Sequence, residues 1–149
     1  MRTRILLTLA MVASATTLAS AQTRQPGDIG RVKVAMGDAR IERGATRIAA
    51  APGVGLKTGD VLVTGKTGRV GVTFNDNSRF SAGPNSRIAV EDFAFDSTTH
   101  QGKFLTRVNK GTVAIVSGQI AKADKNAMRV RTPTALLGVR GTRFVVEVN

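Results

Sequence analysis

The stretch that decides the fold is residues 128–148, which read MRVRTPTALLGVRGTRFVVEV. It contains two segments of alternating character, 128–131 and 142–148. A Thr-Pro break at 132–133 and a glycine-bounded link at 138–141 separate them, and residues of this kind end strands and form turns. The pattern predicts two short β-strands joined by an irregular link.

The faces of these strands follow from the two-residue period of strand side chains. Met128 and Val130 fall on one face of the first segment, and Arg129 and Arg131 fall on the other. An apolar face must meet a core, so the two arginines are predicted to point outward. Arg140 and Arg143 follow closely in sequence. We therefore predict a basic stripe at Arg129, Arg131, Arg140 and Arg143 as the candidate binding surface.

The same alternation persists upstream of this stretch. From residue 61 onward, apolar or methyl-bearing side chains recur two apart, and polar or glycine-containing turns separate the runs. The predicted inward residues are Val61, Val63, Val70, Val72, Phe74, Phe80, Ala82, Ile88, Val90, Phe93, Phe95, Phe104, Thr106, Val108, Val113 and Ile115. Strands beginning near positions 61, 69, 79, 87, 103 and 112 predict an all-β domain.

Three segments outside this pattern are less regular. Residues 30–43 alternate on both sides of a Met-Gly-Asp turn at 36–38, which predicts a hairpin. In residues 44–56, Pro52, Gly53 and Gly55 prevent a helix from growing, so a loop with a short strand is expected. Residues 120–127 are short and charged, and they are predicted to form an exposed loop or one helical turn.

Short strands at this spacing fit two architectures. An antiparallel β-sandwich shows one-sided alternation because each sheet is half exposed. A β-solenoid of the β-helix type also packs one face inward and places small polar residues at its corners. The residues alone leave both open.

The closing segment also resembles the FecR domain family, through the pattern V-x-T-P-x-A-x-x-G-V-R-G-T-x-F-V-V-x-V. Upstream, Gly59-Asp60-Val61, then Gly68-Arg69-Val70 and Phe74-Asn75-Asp76-Asn77-Ser78 resemble the family's entry strands, with Asn77 where glycine is usual. The closing residues that match are Val130, Thr132, Pro133, Ala135, Gly138, Val139, Arg140, Gly141, Thr142, Phe144, Val145, Val146 and Val148. The resemblance implies a β-solenoid-like domain, with the sandwich as the alternative.

The N-terminus predicts export. Residues 1–21 carry two arginines, an apolar stretch and an Ala-Ser-Ala site, which together are typical of a cleaved signal peptide. The apolar part is shorter than the ~18 residues of a membrane span. Residues 22–29 are predicted to be a flexible lead, and 30–149 a single FecR-like all-β domain. The expected location is the periplasm, or outside the cell after secretion.

Composition narrows the function further. The chain has no cysteine, which excludes thiol chemistry, and its net charge is +12, or +10 without Arg2 and Arg4. A basic domain attracts acidic partners. In the envelope these are an acidic protein face, acidic glycans or lipopolysaccharide. Tryptophan and tyrosine are absent, so specific nucleic-acid binding by base stacking is not expected.

Catalytic, metal-binding and cofactor-binding residues are all predicted to be absent. His100 is the only histidine and lies in a polar turn without neighbouring ligands. Asp76 is interpreted as a turn residue that caps its own backbone. Glu91 and Asp92, as strand neighbours, should point to opposite faces unless a bulge intervenes, which argues against a catalytic carboxylate pair.

Functionally, the resemblance implies envelope signalling. Family members with a cytoplasmic helical region and one membrane span regulate sigma factors together with TonB-dependent transporters. Only four residues precede the apolar stretch here, so a sigma-binding segment is not expected. We therefore predict a non-catalytic, exported interaction module that binds an envelope protein. The alternative is an anion-binding domain for envelope glycans or lipopolysaccharide.

Overall fold

A computed structural model describes residues 25–141 and 143–149. The predicted signal peptide and Thr142 lie outside the described residues. The strands are β1 Gly30–Met36, β2 Ala39–Arg43, β3 Thr46–Ala49, β4 Gly55–Leu56, β5 Val61–Thr64, β6 Arg69–Phe74, β7 Arg79–Ala82, β8 Arg87–Phe95, β9 Gly102–Val116, β10 Met128–Arg131, β11 Leu136–Gly138 and β12 Arg143–Val148. One short helix, α1, spans Gln119–Ala123. The prediction of an all-β domain is confirmed.

The strands form one open sheet that curls around its core, and β9 is its spine. The first part of β9 pairs with β8 and β10, and its last part pairs with β7 and β12. Gly111, with φ +90, lies between the two parts. We call β1, β4, β6, β7, β12 and the end of β9 half A, and β2, β3, β5, β8, β10, β11 and the start of β9 half B.

This topology does not confirm the predicted β-solenoid. Coils of a β-helix stack their strands in parallel. Among the described residues, ten of the eleven strand pairings are antiparallel, and only β9 with β10 is parallel. The alternative sandwich is not confirmed either, because backbone pairing continues through β9 from one half to the other. The sequence set the period of the strands but carried no signal for which strands become neighbours.

The core lies between the two halves and centres on phenylalanine rings. Phe74 and Phe80 of half A meet Phe104 of half B, with ring centroids 4.6 and 5.3 Å from Phe104. Phe93 lies 4.9 Å from Phe104 in an edge-to-face arrangement. Edge-to-face and offset aromatic pairs add to the burial energy of the rings. The predicted inward faces of β6 to β10 are confirmed, and Met128 and Val130 are completely buried.

On β5 the predicted face is wrong. Leu62, not Val61 or Val63, faces the core, because its cross-strand partners Ile41 and Ile88 are both fully buried. Directly opposed residues of an antiparallel pair share a face. Val63 is covered as well, but its partners across the strands are arginines on the outer face. The run Val-Leu-Val-Thr is apolar on both faces, so alternation could not choose between them.

The predicted hairpin over residues 30–43 is also wrong. Both strands exist, but β1 pairs with β4 and β6 in half A, while β2 pairs with β3 and β5 in half B. The turn between them therefore carries the chain from one half to the other. Gly37 adopts φ +60 there, and a β-carbon on it would lie 2.3 Å from the carbonyl oxygen of Thr67. The turn is packed against the rest of the sheet.

Two smaller segments bury more than the sequence indicates. The helical turn within residues 120–127 is confirmed as part of α1, but Ile120 and Ala121 are buried at the end of the core. Ile29, assigned to the flexible lead, is 9% exposed. Its N–H donates to Leu56 O, and its carbonyl accepts from Asn75 N, both at 2.8 Å. The fold thus holds the chain from Ile29 onward.

Positive backbone φ angles occur at several of the predicted turns. Asn77 has φ 66, in accord with the tolerance of asparagine for left-handed geometry at the position where the FecR pattern has glycine. Gly141 has φ +32, within the region that favours glycine. Gly138, which the sequence also indicated as a conformationally special glycine, lies in β11 and is not among the residues with positive φ.

Candidate basic and apolar interaction surface

The candidate site is the outward face of half B where β9, β10 and β11 lie side by side. We call it the β9–β10 face and define it by Lys103, Leu105, Arg107, Arg129, Arg131 and Leu136. The register places Leu105 beside Arg129, and Arg107 beside Arg131. Arg131 in turn lies opposite Leu136 of β11. Opposed residues share a face, so arginines and leucines lie side by side on this surface.

A β-bulge in β8 supplies the carboxylates of this face. The register shifts between Val90 and Asp92, so Glu91 and Asp92 both leave the core side, while Val90 and Phe93 remain buried. The expectation that the two acids point to opposite faces is therefore wrong, and the bulge is the reason. Each acid meets a cation of β9: Asp92 Oδ2 lies 2.7 Å from Lys103 Nζ, and Glu91 Oε1 lies 2.6 Å from Arg107 Nε.

Charge on the face remains positive after this pairing. Arg131 Nη1 lies 3.5 Å from Glu91 Oε2, so Arg107 and Arg131 share one carboxylate. The Arg107 contact is an ion pair without the alignment of a hydrogen bond. Arg129 donates through Nε to the carbonyl of Asn126 at 3.2 Å. Four cations and two carboxylates leave a local charge of +2, and the exposed pairs are screened by water.

The structure divides the predicted basic stripe between the two halves. Arg129 and Arg131 share the outward face of β10, as predicted. Arg140 is exposed in the link after β11, and Arg143 is exposed at the start of β12 in half A. Among the described residues, no carboxylate forms an ion pair with Arg129, Arg140 or Arg143. The stripe is thus one pair of arginines on a strand face and two single arginines beyond it.

Apolar groups complete the surface, and sequence reasoning missed them. Leu136 of β11 is 52% exposed on this face, and Leu137, which is 41% exposed, lies opposite the buried Val130 on the other face. Leu136 lines a shallow depression of about 250 Å³ together with Leu105, Arg129 and Arg131. Residues 134–137 belong to neither predicted strand, because the three residues of β11 are too few to show strand alternation. The feature of the sequence that could have indicated these side chains is the pair of adjacent leucines, three residues after Pro133.

The polar groups considered for chemistry lie elsewhere. Asp76 is completely buried, and its carboxylate accepts from Ser78 N at 3.0 Å and Ser78 Oγ at 2.7 Å, as a turn residue does. His100 is exposed in a turn with φ 60, its ring 6.3 Å from Phe95. Within residues 25–141 and 143–149, no group of three His, Cys, Asp or Glu side chains is placed to hold a metal ion.

One ion pair that the sequence does not predict joins a buried carboxylate to a partly exposed arginine. Asp60 precedes β5 and is completely buried, and it accepts from Arg43 Nε at 2.8 Å and from Arg43 Nη2 at 2.7 Å. The side-chain hydrogen bond to Asp60 raises the pKa of Arg43 above its ordinary value. The two residues are 17 positions apart, so no local pattern links them. The pair ties β2 to the start of β5 and is structural.

Comparison with known proteins gives one match. The sequence profile described as FecR protein matches residues 60–149. The chain belongs to the FecR family. This match confirms the sequence resemblance. The matched part of this FecR domain runs from β5 through β12 and includes the whole β9–β10 face. Family membership makes it a signalling-related domain.

No curated protein and no solved structure matches the chain. In the part of the chain that the structure describes, no helix has the length and apolar character needed to cross a membrane.

Proposed function

We propose that this FecR domain is a non-catalytic interaction module, exported to the periplasm or beyond, that binds an envelope protein through the β9–β10 face. The observation that carries the proposal is the combination on that face of arginines with the exposed Leu136 and the partly exposed Leu105. Protein interfaces are enriched in arginine and have apolar centres with polar rims. A partner with acidic groups around an apolar patch would complement this surface.

The apolar side chains of this face distinguish binding of a protein partner from attraction by charge alone. A partner held by apolar contacts stays bound when salt screens the arginines, whereas a purely electrostatic partner is released. Leu136 is half exposed, and burying a leucine side chain contributes about 1.5–3 kcal/mol. Its removal should therefore weaken a bound partner about tenfold or more.

The test is crosslinking in envelope extracts at low and high salt. We expect a protein partner that persists at high salt with the native chain and is lost with Leu136→Ser. Val34→Ser is the matched control, because Val34 is also 52% exposed but lies in half A. Failure to recover any partner, or equal loss with both variants, would contradict the proposal.

A second candidate function is anion binding to acidic glycans or lipopolysaccharide. It is favoured by the absence of ion-paired carboxylates at Arg129, Arg140 and Arg143 within the described residues. Together with Arg131 these arginines could contact phosphate or carboxylate groups, to which guanidinium binds through two parallel hydrogen bonds.

The corresponding test replaces Arg129, Arg131, Arg140 and Arg143 by glutamine and measures binding to lipopolysaccharide vesicles. Binding should fall, and it should also fall with salt in the native chain. The control replaces four other exposed cations by glutamine, with the same change of net charge, at Arg47, Lys66, Arg69 and Arg79. Equal loss in both variants would show attraction by total charge, and unchanged binding would rule the four arginines out.

A further inference from the structure

Strand β12 ends the sheet in half A and carries an unusual pattern of side chains. It pairs with β9 along one edge, and among the described residues no strand lies along the other. With six residues it is the longest of the strands that end the sheet, since β3 has four, β11 three and β4 two. An open edge presents unpaired N–H and C=O groups that can bind another strand.

The two faces of β12 differ in a way that suits such pairing. Arg143, Val145 and Glu147 are exposed, and Val145 is 63% exposed. On the other face, Val146 is buried, while Phe144 and Val148 pack against the core but are only partly buried. A further strand beside β12 would therefore extend the cover over the core. Edge strands of native sheets usually have features at their centre that prevent pairing with another strand, whereas β12 has the exposed Val145 there.

We propose that β12 pairs antiparallel with β12 of a second copy of this chain, with the two-fold axis at Val145. In that register Arg143 lies opposite Glu147 of the second copy, twice by symmetry. Val145 lies opposite its own copy, and Phe144 lies opposite Val146. From Arg143 to Glu147 every opposed pair is then either of opposite charge or apolar, and such cross-strand pairs stabilise a sheet. The interface is isologous, as closed dimers require.

Neighbouring registers lack this match. Centring the axis on Phe144 places each Arg143 opposite a Val145, and centring it on Val146 places each Val145 opposite a Glu147. A register with the axis between two residues would place core-facing side chains opposite outward ones. Neither Arg143 nor Glu147 forms an ion pair within residues 25–141 and 143–149, so both side chains are available for the second copy.

The absence of cysteine allows a direct test of the register. Residues on the axis have Cα atoms about 4.5–5.5 Å apart, within the range that a disulfide spans. Mild oxidation of Val145→Cys should give a covalent dimer on a non-reducing gel. Glu147→Cys is the control, because the two thiols would lie four residues apart, about 13 Å along the strand. No dimer with Val145→Cys, or equal dimer with both, overturns the proposal.

Charge exchange tests the same interface in the unmodified chain. Sedimentation should show a concentration-dependent dimer, and Arg143→Glu should weaken it about tenfold or more, because the new carboxylate faces Glu147. Glu147→Arg should weaken it likewise, and the double variant should restore it. Arg129→Glu, with the same charge change outside β12, should leave it unchanged. A monomer at about 100 µM native chain, or no restoration in the double variant, refutes the pairing.

This inference does not depend on the proposed function. The double exchange at Arg143 and Glu147 keeps the net charge and leaves the β9–β10 face intact. Restored dimerisation in that variant therefore reports on β12 alone. Capture of an envelope partner is measured separately with Leu136→Ser, which should dimerise as the native chain does. Each proposal can fail without the other.

Discussion

Replacing Arg43 by methionine should destabilise this FecR domain more than the loss of any single exposed arginine. The carboxylate of Asp60 is completely buried and accepts three hydrogen bonds, two from Arg43 and one from Lys57 N at 2.8 Å. Methionine keeps the aliphatic stem but removes both guanidinium donors. Asp60 then retains one donor for a buried negative charge.

The magnitude follows from the burial of the two partners. Removing one partner of a buried ion pair costs about 3–5 kcal/mol. The side chain of Arg43 is 33% exposed, so water can reach the vacated position, and the cost should lie near the lower end. We expect a loss of about 3 kcal/mol in the free energy of unfolding. For a domain of this size that corresponds to a fall of about 10 °C in melting temperature.

Urea denaturation followed by circular dichroism measures this loss. Arg47→Met on β3 is the matched control, because Arg47 is exposed, and it should change the free energy of unfolding by less than about 0.5 kcal/mol. A double-mutant cycle with Asp60→Asn should show strong coupling, since each single change removes the same contact. If Arg43→Met costs no more than Arg47→Met, the reasoning from the buried carboxylate is refuted.

Three further predictions concern local features. Gly37→Ala should destabilise more than Gly44→Ala in thermal melts, because both glycines have positive φ but only Gly37 meets a backbone oxygen; equal losses would contradict this. Thr106→Val should keep or raise the melting temperature, by up to about 1 kcal/mol of stability, because the buried hydroxyl has no hydrogen-bond partner; a large loss would reveal one. The hydrogen bond from Arg87 lowers the pKa of Glu42, so this contribution to stability is present at neutral pH and is lost as pH falls through the folded pKa. Arg87→Gln should raise that pKa in an NMR titration of the carboxyl group, and an unchanged value would exclude Arg87 as its cause.

The sequence predicted the parts of the fold that depend on local periodicity. Alternation placed Val70, Phe74 and Phe80 on the inner face correctly, because each is flanked by polar or small residues. It failed on β5, where both faces are apolar. Pairing is not local, so the turn at Gly37 was taken for a hairpin although it joins the two halves.

The candidate site was predictable in its charges but not in its arrangement. Alternation around Met128 and Val130 gave the outward direction of Arg129 and Arg131. Glu91, which forms an ion pair with Arg131, is positioned by a bulge, and the one inserted residue that creates the bulge has no recognisable sequence pattern. The separation of Arg143 from this pair depends on which half receives β12, and that is decided by long-range packing.

The central position of β9 has a consequence for how the chain reaches its native state. Four other strands attach to it, yet it begins only at Gly102, after two thirds of the chain has been made. Until β9 has been synthesised, no strand pairs with both β7 and β8, so the sheet cannot join the β5–β8 pair to the β6–β7 pair. Completion of the fold is therefore a late, cooperative event dominated by distant pairings, which are slow to form.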